Sequence, residues 1–309
     1  MSRGKERQHT VQLIRMVRRI VAKSILNKHK KRDEWFLDDY SINPYQGCSF
    51  GCIYCYTRGS KYGTHLAKDL SVKINAPEIL EKQLFSRAKK NRYGIIAVAS
   101  QEPYLPIEKE LRMTRRLLEI ISKNRFPVNI GTKSTLVLRD LDVLREIDLH
   151  AILPIDLRVR LGRGAIISFS FSTIDRELAS IFEPRAPTPR ERFQTMQECA
   201  EKGFLTGANF IPVLPFLSDS NKQLDEMIGS AKEHGACFVL VGGLTLFGSG
   251  PEDCRMLYYK TLEKHFPELV PRYRSLFRIF FAPPEEYQRR LEETSRALCE
   301  KHGVRYGII

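Results

Sequence analysis

Hydrophobic positions along the chain form short apolar runs that alternate with stretches of three- and four-residue periodicity. The runs Gly94–Ser100, Pro127–Thr132, Ala165–Ser172, Phe204–Val213 and Ala236–Val241 read as strands, the first short and buried and the third alternating with period two near its end. Between and after them, Ala76–Lys90, Ile107–Lys123, Leu136–Ile147, Pro189–Lys202, Ser220–His234 and Glu285–His302 place apolar residues one turn apart, as in Ile79, Leu80, Leu84 and Ala88. These read as amphipathic helices. Pro77 and Pro189 stand where a helix tolerates proline, in its first turn. One more strand is expected around Ser41–Gly47. Repeated strand–helix units predict an α/β fold with a parallel sheet. Six units are too few for a closed eight-unit barrel and suit an open one, with functional groups at the C-terminal strand ends.

Two segments depart from this rhythm. His150–Gly164 is longer than an ordinary connection and carries Arg158, Arg160 and Arg163 beside Asp156. It reads as a substrate-side flap or as a surface excursion. Near the start, Leu13, Ile14, Val17, Ile20, Val21 and Ile25 follow helical spacing. Residues 1–32 therefore read as an amphipathic helical arm, and residues 33–309 as the barrel domain with a C-terminal helical extension. The arm holds eleven Lys and Arg against a single acid, Glu6, and so carries most of the formal net charge of +14. Its basic face contacts nucleic-acid phosphates or is simply solvated, with an anionic membrane surface as the next alternative. No run approaches the roughly 18 apolar residues of a membrane span, so no membrane partner is expected.

The candidate chemistry lies in the string Asn43-Pro44-Tyr45-Gln46-Gly47-Cys48-Ser49-Phe50-Gly51-Cys52-Ile53-Tyr54-Cys55-Tyr56. Its spacing is C-x3-C-x2-C. Three thiolates on one loop can hold three irons of a 4Fe-4S cube, leaving one iron open for chemistry. Cys199, Cys237, Cys254 and Cys299 stand singly and read as small buried hydrophobes or neutral surface thiols. A zinc site would need a fourth ligand such as His65, on a spacing unusual for zinc knuckles. A disulfide scaffold is disfavoured by the chain's length and its seven cysteines. The cysteine usage points to a reducing, cytoplasmic setting.

With Tyr54 before the last cysteine, the loop is similar to the signature of the radical SAM superfamily. The resemblance implies a partial (β/α)6 TIM-type barrel and an open iron that binds the amino and carboxylate groups of S-adenosylmethionine. It also implies an external electron donor and release of a 5′-deoxyadenosyl radical. Candidate cofactor contacts lie at the strand ends: Ser100 and Glu102; Thr132, Lys133 and Ser134; Ser170; Asn209; and Gly242. Their acids, hydroxyls, lysine and glycine backbone match the ammonium, carboxylate, ribose and adenine of that cofactor. Polar strand ends are general in α/β proteins, however, and serines there often cap helices. Arg185, in Glu183-Pro184-Arg185-Ala186-Pro187, offers a forked donor to a carboxylate or phosphate. Its bland alternative is a surface pair with Glu183.

A closer resemblance rests on Asn43–Tyr56 together with Lys73–Leu80, Thr132–Asp140 and Glu183–Pro187. These look like the DNA repair photolyases, relatives of spore photoproduct lyase, from about Leu26 to the C-terminal helix. The resemblance implies radical chemistry on a thymine dimer in DNA. It departs at one place. Spore photoproduct lyase draws its hydrogen donor from a cysteine near the end of the second strand, where this chain reads Ala97-Val98-Ala99-Ser100-Gln101-Glu102. Tyr104 is a substitute relay or plain packing. The expectation is a lyase-like radical SAM enzyme acting on a DNA photoproduct. RNA, a peptide or a small molecule stand as alternative substrates, and a metal-stabilised nucleic-acid-binding protein as the alternative class.

Overall fold

The computed structural model describes residues 17–60 and 70–309. They divide into two compact units, with boundaries between Ser49 and Phe50 and between Ile167 and Ser168. In the first unit, strands run in the order β2 (Asn27–Lys28), β3 (Tyr40–Ser41), β6 (Ile96–Val98) and β7 (Val128–Thr132). β3, β6 and β7 are parallel; only β2 is antiparallel to its neighbour. β8 (Ala165–Ser170) spans the boundary after Ile167, and in the second unit it is followed in order by β9 (Leu205–Val213), β10 (Phe238–Gly243) and β11 (Arg305–Tyr306). There β9, β10 and β11 run parallel. The six strands expected from the apolar runs correspond to β3 and β6 to β10. Helices follow the strands, as parallel connections require.

Several helices start where local chemistry dictates. Pro189–Glu201 opens with a capping box between Thr188 and Glu191, and Asn221–Glu233 with one between Ser220 and Gln223. Glu285–His302 has the expected bounds and ends on Gly303 in the left-handed conformation. The expected helix over 107–123 is broken instead at Arg112, which has φ of 48°. The buried Glu108 carboxylate accepts the Met113 and Thr114 amides at 3.0 Å each, and this starts a second helix, Met113–Lys123. The stretch expected as a helix from Leu136 begins as a 3-10 segment, Thr135–Asp140, before Leu141–His150.

The arm requires correction over its described part. Arg18–Ile20 is a strand, β1, parallel to β5 (Ser71–Lys73), rather than a turn of helix. Val21, one of the apolar residues at helical spacing, is 74% exposed. The residues that set the helical period are β-branched and suit extended backbone equally well. Asn75 decides between the two, since its side chain accepts from Ala22 N and donates to Ala22 O at 2.9 Å each. The part of the expected helix before Val17 lies outside the described residues, as does His65. The first expected strand is also two pieces. β3 belongs to the main sheet, whereas β4 (Tyr45–Gln46) pairs antiparallel with β5 in a small separate sheet.

The 150–164 stretch precedes β8 and carries a short helix, Arg158–Leu161, with Ile155 and Val159 exposed and Leu157 and Leu161 buried. Asp156 pairs with Arg32, and Arg163 with Asp148. No described helix is long and apolar enough to cross a membrane.

Candidate functional site

The cysteine loop follows β4 and crosses the unit boundary. Cys48 is exposed at the end of the first unit's portion; Cys52 and Cys55, in the second, are partly exposed. Gly47 and Gly51 have φ of 90° and 69°, a left-handed backbone that favours glycine. At Gly51 there is a second reason. An added Cβ would lie 2.6 Å from an Arg185 guanidinium nitrogen, so the missing side chain is what lets Arg185 lie against the loop. Arg185 N also bonds Phe50 O at 3.3 Å. Among the described residues no three His, Cys, Asp or Glu side chains are gathered as a ligand set.

A hydroxyl meets one of the three thiols, and another stands beside a second in the chain. Thr57 Oγ1 lies 3.0 Å from Cys55 Sγ. Ser49 Oγ is buried with no protein partner, beside Cys48 in the chain. Cys52 and Ile53 pack against a buried apolar cluster that includes Tyr54, Phe182, Leu244, Leu246 and Tyr258.

Tyr54 enters a buried polar network that sequence reasoning missed. Its hydroxyl donates to Glu183, which also accepts from Ser172 Oγ at 2.9 Å and from Arg192. Glu183 therefore pairs with Arg192 inside the protein and not with Arg185 at the surface. Arg192 is fully buried and donates to Pro187 O at 2.8 Å and Ser170 O at 2.7 Å. Burial, the largest single effect, acts to lower its pKa, but the charge and the hydrogen bond of Glu183, joined by Tyr54 and Cys52, together raise it. Burial, reinforced by the Glu183 charge, raises the Tyr54 pKa well above the usual value. One signal was available in the sequence. Arg192 falls on the buried stripe of its helix with Met196 and Cys199, and a charge at such a position implies a buried partner.

The expected cofactor residues fall into two groups. In the first unit, Glu102, Thr132, Lys133 and Ser134 form one connected cluster where β6 and β7 end. Thr132 Oγ1 donates to Glu102, the Lys133 amide to Glu102 Oε2 at 2.9 Å, and the Ser134 amide to Thr132 Oγ1 at 2.9 Å. Burial raises the Glu102 pKa, opposed by these bonds from Thr132 and Lys133 and by one from Tyr104 N. Ser134 caps the following 3-10 segment through Leu136 N, which is the structural role its position allows. Ser100 is exposed just past β6. Tyr104 is fully buried, and its hydroxyl has no hydrogen-bond partner among the described residues.

In the second unit, Asn209 on β9 donates to Ser168 Oγ at 2.8 Å, while its Oδ1, also buried, has no protein partner. Ser170 gives its carbonyl to Arg192 and ends β8. Gly242 lies in β10 where the pairing with β9 breaks register between Val241 and Gly243. Arg185 is exposed.

Comparison with known proteins adds the following. Residues 42–228 match the family described as the Radical SAM superfamily. An uncharacterized protein of Mycobacterium tuberculosis is 30% identical over 85% of this chain and 74% of its own length. Another from Methanocaldococcus jannaschii is 28% identical over 62% of this chain and 66% of its own length. Among solved structures, a mutant of spore photoproduct lyase aligns with a TM-score of 0.65 at 15% identity, over 93% of this chain and 80% of that one. A double mutant of the same enzyme, with bound AdoMet and dinucleoside spore photoproduct, aligns with a TM-score of 0.63 at 15% identity, over 89% and 78%. At that identity the likeness shows the fold, and the fold is the partial barrel of alternating strands and helices expected from the sequence.

Proposed function

The chain belongs to the radical SAM superfamily, and from that premise we propose that Cys48, Cys52 and Cys55 hold a 4Fe-4S cluster whose remaining iron takes S-adenosylmethionine. The observation that carries the proposal is the C-x3-C-x2-C loop inside the matched region. The residues present fit such a group. The donor set is three thiols on a loop turned by two glycines, and the unpartnered Ser49 hydroxyl and the Thr57 hydroxyl are donors of the kind that tune cluster sulfur. When bound, the cluster supplies the electron that cleaves S-adenosylmethionine to methionine and a 5′-deoxyadenosyl radical, drawn from an external donor.

The chain's own part is to bind, orient and exclude. Asn209 offers a buried amide oxygen with no protein partner, fit to accept a hydrogen bond from a cofactor N–H or O–H. Glu102, Thr132 and Ser134 hold one another rigidly, so in this reading they shape the strand ends and leave contact to Lys133, Ser100 and Ser170. Gly242 lets a ligand approach the backbone closely, and Arg185 presents its fork beside the cysteine loop to a carboxylate or phosphate.

For the substrate, the reading best supported is a DNA photoproduct in a cytoplasmic, lyase-like repair reaction. It draws support from the fold shared with spore photoproduct lyase, one of whose structures holds a dinucleoside photoproduct, and from the basic residues of the 1–32 segment. Deuterium tracking tests it. Incubation with S-adenosylmethionine and deuterated, photodamaged oligonucleotide is expected to carry label into 5′-deoxyadenosine, and DNA binding is expected to fall steeply with salt. Label arriving only from RNA, a peptide or a small molecule would replace the DNA reading.

A further inference from the structure

Tyr54 stands in the chain between Cys52 and Cys55, and the structure ties it into the core at its far end. Its ring is 5% exposed and its hydroxyl donates to Glu183, itself 3% exposed. Glu183 holds the guanidinium of Arg192, which no solvent reaches. The guanidinium also lies over the Phe171 ring, 5.6 Å from its centroid. A backbone bond runs alongside, from Ile53 N to Phe182 O at 2.9 Å. The turn that carries two of the three cysteines is thus bonded to 182–185 by side chain and main chain together.

Charge gives this arrangement a second consequence. Buried charges interact strongly because little water screens them. The positive Arg192 guanidinium interacts electrostatically with Cys52 and alone would favour electron-rich states there; Glu183 cancels it.

We propose that Glu183 is a positioning residue for the cysteine loop: through Tyr54 it fixes the Cys52–Cys55 turn, and by neutralising Arg192 it keeps a cluster on that turn hard to reduce and therefore strongly reducing. The first half concerns the protein alone. The second rests on the cluster reading given above.

The test uses the full chain with Tyr54→Phe, Glu183→Gln and, as a matched control from the other unit, Tyr45→Phe. Hydrogen exchange in the metal-free protein reads the turn. The Ile53 amide is expected to exchange about tenfold faster in Tyr54→Phe and Glu183→Gln, the scale of one lost hydrogen bond to a charged group. It is expected to be unchanged in Tyr45→Phe. Potentiometry of the reconstituted protein, followed by electron paramagnetic resonance, reads the charge. Glu183→Gln is expected to raise the midpoint potential, while Tyr54→Phe, which changes no charge, moves it less. Tyr54→Phe keeps the ring in the core, so it answers if Glu183→Gln does not fold. Unchanged Ile53 exchange in Tyr54→Phe overturns the positioning role. A potential that stays fixed or falls in Glu183→Gln overturns the charge role. If wild-type protein takes up no cluster, the cluster reading fails, and the exchange experiment still decides the brace.

Discussion

Each unit contains a buried tyrosine–glutamate–arginine chain, and the two differ in where they end. In the second unit the chain is closed: the Arg192 and Glu183 side chains are each 1% exposed. In the first, Tyr45, three residues before Cys48, donates to Glu108, whose carboxylate also accepts Arg139 at 3.0 Å. Arg139 then grips Asp140, Asp140 meets Arg115, and Arg115 meets Asp142, whose side chain is 63% exposed. The same three residue types therefore make an enclosed pair in one place and a ladder to the surface in the other. An enclosed pair gives up hydration for both ions and punishes the loss of either. A ladder shares its charges among several partners and with water, so each rung matters less.

That contrast can be broken experimentally, beginning with the arginines. Arg192→Met strands the Glu183 carboxylate and is expected to cost about 3–5 kcal/mol in urea unfolding. Arg139→Met leaves Glu108 with Tyr45 and three backbone amides, so it is expected to cost about half as much. Equal losses would erase the distinction between closed and open chains. The tyrosines come next. Tyr54→Phe and Tyr45→Phe each remove one hydroxyl from a carboxylate that keeps other donors, and each is expected to cost about 1–2 kcal/mol. A match between them would locate the difference at the arginine ends.

The smallest effect is expected at the outer rung of the ladder. Arg115 holds the Asp142 carboxyl down at about 2, below its ordinary 3.8. A depressed carboxyl stabilises the fold above its unfolded value, and the contribution fades as pH falls through the folded one. Asp142→Asn is therefore expected to cost under about 0.5 kcal/mol at neutral pH, given its exposure, less in high salt, and progressively less as pH falls from the ordinary carboxyl value through about 2. A unit-two variant with the same salt and acid response would show that chain to be open as well.

How much was legible in the sequence follows the same division between local and distant causes. Helices with their own caps, such as Pro189–Glu201 and Asn221–Glu233, could be read within a residue or two because the stop and start signals lie inside them. The Leu13–Ile25 pattern misled over its described part because β1 is decided by partners more than fifty residues away, Ser71 and Asn75. The cysteine spacing was legible as a local motif. Its buried support was not, since Tyr54 and Glu183 are 129 residues apart. Asn209 was legible only as a polar residue in a strand; its unpartnered oxygen is a fact of packing. The lone cysteines Cys199, Cys254 and Cys299 are buried as expected, with burial pushing their thiols up to about 12, 11 and 12. Cys237 is exposed.

The central claim is that Cys48, Cys52 and Cys55 together hold the cluster that cleaves S-adenosylmethionine. The most direct test is anaerobic reconstitution of the wild type and of Cys52→Ala, with electron paramagnetic resonance of the reduced protein and assay of 5′-deoxyadenosine. The account predicts a reduced 4Fe-4S signal and 5′-deoxyadenosine from the wild type, and loss of both from Cys52→Ala. A Cys52→Ala protein that retains full cleavage, or a wild type that binds zinc and no iron, would contradict it.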